Sequence, residues 1–154
     1  MPLRDDGDLT DHFLSAKERD VESLVREGEE LLRLDSEQAA GMETFLTKAW
    51  FSGTHACHAQ MLSQVRRREP DVGKLDVGPL EADFKALMDE SADTLNLSVI
   101  ETLGMWGLLS RACVAGIHSC RSEITALMLE ARADIAEEAL RWLERQNLGG
   151  EQLR

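Results

Sequence analysis

The sequence contains two similar segments in tandem. When residues 16–65 are aligned without gaps to residues 79–128, thirteen of the fifty positions are identical. The clearest identities form one element, Gly-x-His-x-Cys, which occurs at 53–57 and again at 116–120. A repeat of this length is one supersecondary unit present twice, so we predict an internal duplication.

Each repeat is predicted to be two helices joined by a tight turn. Apolar residues recur at spacings of three and four residues in both copies, which is typical of amphipathic helices. Asp35 with Gln38, and Ser98 with Glu101, have the spacing of a capping box at the same place in each copy. The second helix of each repeat therefore begins directly after its capping residue.

Two such hairpins predict an all-α four-helix bundle with pseudo-twofold symmetry. With 154 residues the chain is long enough to bury one core, so we predict a single helical domain over residues 1–154. Repeat 1 spans about 16–68 and repeat 2 about 79–131, and the segment between them contains helix-breaking Pro and Gly. The C-terminal extension, residues 132–154, keeps helical spacing and either prolongs the fourth helix or forms a fifth.

The charge of the chain restricts its partners. A formal net charge of -12 at pH 7 repels nucleic acid and anionic membranes, whereas a basic protein or a cation fits it. The most apolar run, residues 99–117, contains Glu101 and Arg111 and is too polar to span a bilayer. No secretory signal is evident, and three cysteines are an odd number that is typical of reduced thiols. We therefore predict a cytoplasmic protein with no nucleic-acid or membrane partner.

The repeated histidines are the first candidates for chemistry, because an unpaired imidazole is costly to bury. Folding the chain at the turn between the helices places Glu18 level with His55, and by the repeat it places Glu81 level with His118. Two carboxylates and two imidazoles are a ligand set that binds Zn, Mn or Fe in four-helix bundles. The alternative to a metal site is a neutral histidine held by a glutamate or by solvent.

Two details count against a known metal motif. The predicted bundle resembles the architecture of the ferritin-like di-iron proteins, in which a Glu stands three residues before each His, but Ser52 and Ala115 occupy those places here. His58 has no histidine counterpart in the second repeat, which leaves a one-sided cluster with His12 and His55 as a further arrangement.

Enzymatic interpretations have less support. His118 followed by Arg121 loosely resembles a phosphotransfer histidine, and Arg111 with His118 resembles the Arg and His pair of small helical RNases. The first repeat has no arginine at the phosphotransfer position, and it has Lys48 where the RNase-like pair has Arg111. The sequence also contains no phosphate-binding loop and no nucleophile elbow. The sequence therefore favours a non-enzymatic protein.

An apolar stripe continues beyond the duplicated region and has no partner within the repeat. Leu127, Ile135 and Trp142 follow helical spacing along it. These three residues are the predicted partner-binding surface of a non-enzymatic, acidic helical adaptor, which we predict to be a homodimer. The alternative function is a metal-binding bundle that holds a transition metal on Glu18, His55, Glu81 and His118.

Overall fold

A computed structural model describes residues 6–67 and 78–152, with side chains described over 11–67 and 84–146. This part of the chain forms five α-helices and no strand, which confirms the predicted all-α bundle and shows that the C-terminal extension forms a separate helix. The predicted linker after repeat 1 lies outside the described residues. The helices are α1 (Asp6–Leu32), α2 (Ser36–Arg67), α3 (Gly78–Thr94), α4 (Val99–Leu129) and α5 (Ala133–Gln152).

Both predicted capping boxes are formed. The side chain of Asp35 accepts a hydrogen bond of 2.7 Å from the Gln38 amide, and Gln38 Oε1 accepts one of 3.1 Å from the Asp35 amide. Ser98 and Glu101 make the same reciprocal pair at 3.1 and 2.9 Å. Each pair satisfies two backbone amides that a helix start leaves without partners, so α2 and α4 begin where the sequence predicts.

Three residues in the left-handed region turn the chain between helices. Arg33 (φ 52°) stands before α2, and Asn96 (φ 54°) stands at the aligned position before α4. Ala131 (φ 58°) ends α4 in a Schellman arrangement, in which the amide of Arg132 donates to the carbonyl of Leu127 at 2.9 Å. This break separates α5 from α4 and turns it back onto the bundle.

The closest helix packing in the described structure is between α2 and α4, which also share the most extensive contact. A Cβ atom added at Gly53 would overlap the carbonyl oxygen of Cys113, and one added at Gly116 would overlap that of Trp50. The two backbones therefore touch where a side chain would hold them apart. Glycine is required at both positions by this close approach.

The N-terminal ends of α2 and α4 lie side by side. Gln38 Nε2 donates to the carbonyl of Leu95 at 3.0 Å, and Gly41 faces the Leu95 side chain. Gly104 faces Leu32 in the same way. The two long helices therefore run in the same direction, and α1 and α3 each contact both of them.

Many contacts in the bundle occur twice. We call two residues counterparts when they share a position in the alignment of residues 16–65 with 79–128, or in its continuation. Lys48 on α2 pairs with Glu90 on α3 at 3.6 Å, and their counterparts Arg111 on α4 and Glu27 on α1 also form an ion pair. The glycine contacts described above are related in the same way, because each residue in one contact has its counterpart in the other. The two halves thus make equivalent contacts around α2 and α4.

One apolar core joins all five helices. It contains a buried indole at Trp50, whose Nε1 donates to Asp20 on α1 at 3.1 Å, so the one polar atom of the ring is satisfied. Leu87 from α3 and Leu140 from α5 belong to the same cluster.

The glycine contacts lead to a prediction about stability. Replacing Gly53 or Gly116 by Ala forces two backbones apart, and we expect a net loss of about 2 kcal/mol, which outweighs the better helix propensity of Ala. Gly107 on α4 is the control, since a Cβ there meets nothing within 4 Å. Gly107→Ala should gain about 0.5–1 kcal/mol. Urea unfolding of the three variants measures both effects, and a stable Gly53→Ala protein would contradict the close approach.

Candidate functional site

Three of the four residues predicted to bind a metal ion have described side chains, and these three are not grouped together. His55 is half-exposed on α2, His118 is exposed on α4, and Glu18 is exposed on α1. Glu81 lies in α3, and its side chain is outside the described residues. Among the side chains that are described, no three or more His, Cys, Asp or Glu residues are grouped so that they could hold a metal ion.

His55 is paired with a residue that is not part of the predicted ligand set. Its Nδ1 lies 2.8 Å from Glu144 Oε2 on α5. Further along, Arg66 Nε donates to Glu137 at 3.0 Å, and this hydrogen bond lowers the pKa of Glu137. Since the two contacts occur in opposite order along the two helices, α5 runs antiparallel to α2. Because α5 folds back along α2, Glu144 reaches His55.

The predicted partner-binding stripe has intramolecular partners. Leu127 is buried in the core, and Ile135 and Trp142 are half-buried against it. The ring of Trp142 stacks on that of Phe13 with 6.4 Å between the centroids. The turn at Ala131 folds α5 back onto α1 and α2, so in this structure the stripe faces the protein interior rather than a partner.

A different apolar surface is exposed, on the side of α4 that faces away from the core. Its first part consists of four residues at helical spacing, which we call the N-terminal patch. Its second part is a shallow groove of about 580 Å³, which we call the C-terminal groove. The N-terminal patch comprises Val99, Ile100, Leu103 and Trp106. The C-terminal groove is lined by Val114, Ile117, His118, Arg121, Ser122, Thr125, Ala126 and Leu129.

The exposure of the N-terminal patch is large. Val99 is 78% exposed, Ile100 79%, Leu103 60% and Trp106 49%. Contiguous exposed apolar side chains on a water-facing helix indicate a surface that binds another molecule. The sequence signal for this patch is the apolar run at 99–117, but the run also contains the buried residues of α4 and so does not by itself distinguish the exposed face from the covered one.

The counterparts of the patch on α2 are different in character. Val99, Ile100, Leu103 and Trp106 correspond to Ser36, Glu37, Ala40 and Glu43. These four residues of α2 are exposed as well. Two carboxylates, a hydroxyl and a methyl group on α2 are thus replaced by four large apolar side chains on α4, at positions that face water in both helices.

The charge of α4 differs from that of the rest of the chain. Residues 102–122 contain no Asp or Glu, although the chain has 29 acidic residues and a net charge of -12. The same segment contains Arg111, His118 and Arg121. Most of the length of α4 is therefore neutral to basic in a strongly acidic protein.

Two cysteines meet in the core between α2 and α4. Cys57 Sγ donates to the carbonyl of Thr54 at 3.4 Å, and Cys120 is hydrogen-bonded to Cys57. This bond, followed by burial, raises the pKa of the Cys120 thiol well above its ordinary value. Cys120 is therefore a neutral thiol that fills the core, and a reactive thiolate is disfavoured there.

Comparisons with protein-family models, with curated proteins and with solved structures find no match to this chain. Among the described residues, every helix is too short or too polar to cross a membrane.

The raised pKa of Cys120 leads us to expect a loss of stability at alkaline pH. Its pKa is raised in the folded protein, so the unfolded chain loses the thiol proton at a lower pH. The contribution of Cys120 to the free energy of unfolding is therefore complete below about pH 8.5 and falls above it, by up to about 1.4 kcal/mol per pH unit. Urea unfolding across this range measures the fall, which should be shallower in Cys120→Ala. An equal dependence of the free energy of unfolding on pH in both proteins would contradict the assignment of this fall to Cys120.

Proposed function

We propose that this protein is a non-enzymatic interaction protein, built from two copies of one helical hairpin, that forms a homodimer through the N-terminal patch of α4. The observation that carries the proposal is the exposure of four large apolar side chains at positions where α2 has polar or small residues. In this proposal the protein acts as an adaptor, and the dimer presents its remaining surfaces to other proteins.

The duplication is supported by paired contacts. The ion pair of Lys48 with Glu90 becomes that of Arg111 with Glu27 when each residue is replaced by its counterpart. The capping boxes and the glycine contacts follow the same correspondence. A common origin of the two halves explains why both the residues and their contacts recur. It also makes α2 a reference for judging which surfaces of α4 differ.

Burial of the patch supplies the free energy for association. Removing a large apolar side chain such as Leu103 from water is worth about 1.5–3 kcal/mol when burial is complete. Several apolar side chains on each copy would offset the cost of association.

A second copy fits the patch because the patch itself is uncharged. Within residues 99–110 the one ionisable side chain is Glu101, whose carboxylate accepts a hydrogen bond from the Ser98 amide, so two acidic copies would meet where few charges lie. A twofold pairing places the same patch on both sides of the interface and closes the assembly at two subunits.

The oligomeric state tests the proposal. Sedimentation equilibrium should give the mass of a dimer for the wild-type protein and of a monomer for Leu103→Glu, because a carboxylate at the centre of the patch cannot be buried without a partner. The matched control is Ala40→Glu, which introduces the same charge at the exposed counterpart position on α2. It should leave the dimer intact.

Circular dichroism of both variants confirms that the helices are retained. A monomeric wild-type protein at every concentration, or equal dissociation of both variants, would overturn the proposal.

A further inference from the structure

The C-terminal groove of α4 is the counterpart of the surface on which α5 lies in the first half. Two residues of α2 that bond to α5 are His55, which pairs with Glu144, and Arg66, which pairs with Glu137. Their counterparts are His118 and Leu129, which line the groove. The same two positions therefore bond to a helix on α2 and line a groove on α4.

The exposure of counterpart side chains on α2 and α4 differs accordingly. Thr54 is buried, whereas its counterpart Ile117 is only half-buried. Phe51 is half-buried, whereas its counterpart Val114 is 63% exposed. At these two positions the apolar side chains of the groove are more exposed than their counterparts on α2.

We propose that the C-terminal groove binds an amphipathic helix of a partner protein, which runs antiparallel to α4 and places a carboxylate against His118. This is the arrangement in which α5 binds α2, with Glu144 against His55. The proposal goes beyond the self-association described above, because it concerns a separate part of α4 and a different protein.

The lining of the groove selects an acidic helix. None of its eight described residues is acidic, in a chain of net charge -12, and His118 stands where its counterpart His55 pairs with the carboxylate of Glu144. A carboxylate on the docking side of the bound helix can pair with His118 in the same way, whereas a lysine or arginine at that position cannot. The overall charge of the chain predicts a basic partner, but the local charge of this surface favours the opposite.

The residue at the far end of the groove adds a second requirement. On α2, Arg66 receives Glu137, which stands seven residues before Glu144 on α5. On α4 the counterpart of Arg66 is Leu129, which is 74% exposed. A carboxylate placed there would lose its partner and be desolvated, so the bound helix should carry an apolar residue seven positions before the acid.

A synthetic peptide derived from α5 tests these requirements directly. The probe is a fluorescein-labelled peptide with the sequence of residues 132–147 and the substitution Glu137→Leu. We expect saturable binding to the wild-type protein by fluorescence anisotropy. The same peptide with the additional change Glu144→Lys should bind at least about tenfold more weakly, since a lysine cannot replace the carboxylate as the partner of His118.

Protein variants locate the binding surface. Val114→Glu places a carboxylate in the groove and should weaken binding of the probe by about tenfold or more. Leu31→Glu is the matched control, because Leu31 is also a large exposed apolar residue, 70% exposed, but lies on α1. Amide chemical-shift changes on adding the peptide should fall on residues 114–129 of α4.

Several outcomes would overturn the inference. These are the absence of saturable binding, equal binding to Val114→Glu, and shift changes centred on α2, which would mean that the peptide displaces α5. Conversion of the wild-type dimer to a monomer by Val114→Glu would instead assign the groove to a second copy. The monomeric Leu103→Glu protein should still bind the probe, so this test and that of the homodimer fail independently.

Discussion

The contact between the backbones of α2 and α4 is the constraint on which the rest of the structure depends. Gly53 and Gly116 allow the two longest helices to touch, and the side chains around this contact, including Ala49 and Ala112, are small and fully buried. Because the central helices are so close, α1 and α3 each contact both of them. The thiols of Cys57 and Cys120 then fill the narrow space that remains.

The two halves make equivalent contacts inside the bundle but differ on its surface. Inside, glycine contacts and ion pairs recur between counterpart residues. Outside, α5 covers part of α2, whereas the same part of α4 is a groove. An interior tolerates few changes because it is tightly packed, whereas surface residues can change with little effect on the fold. The functional proposals therefore rest on the surfaces where the halves differ.

This asymmetry also explains the different surroundings of the two repeated histidines. His55 lies under the end of α5 and pairs with Glu144. His118 lies on the open side of α4. Identical residues in identical helical positions thus have different environments, and the difference is produced by α5, which has no equivalent on α4 in the described structure. A repeated histidine alone does not indicate a shared metal site.

Local signals were sufficient for the helices. Asp35 and Ser98 mark the starts of α2 and α4 because capping bonds involve residues only three apart. The same local reasoning was insufficient for the partner-binding surface. Leu127 and Trp142 are apolar at helical spacing, but that pattern is the same whether a helix packs against its own chain or against another protein. The apolar run at the start of α4 likewise does not show whether its side chains are covered by the same chain or face water.

The sequence by itself determined the all-helical class, the helix boundaries at the capping boxes, and the correspondence of positions between the two aligned segments. These follow from backbone geometry and from identities that can be read along the chain. Only the tertiary structure decided which apolar faces are covered. That depends on the direction in which α5 leaves the turn at Ala131, and therefore on contacts between residues far apart in the chain. Hence Trp142 is packed against Phe13, and Leu103 is left facing water.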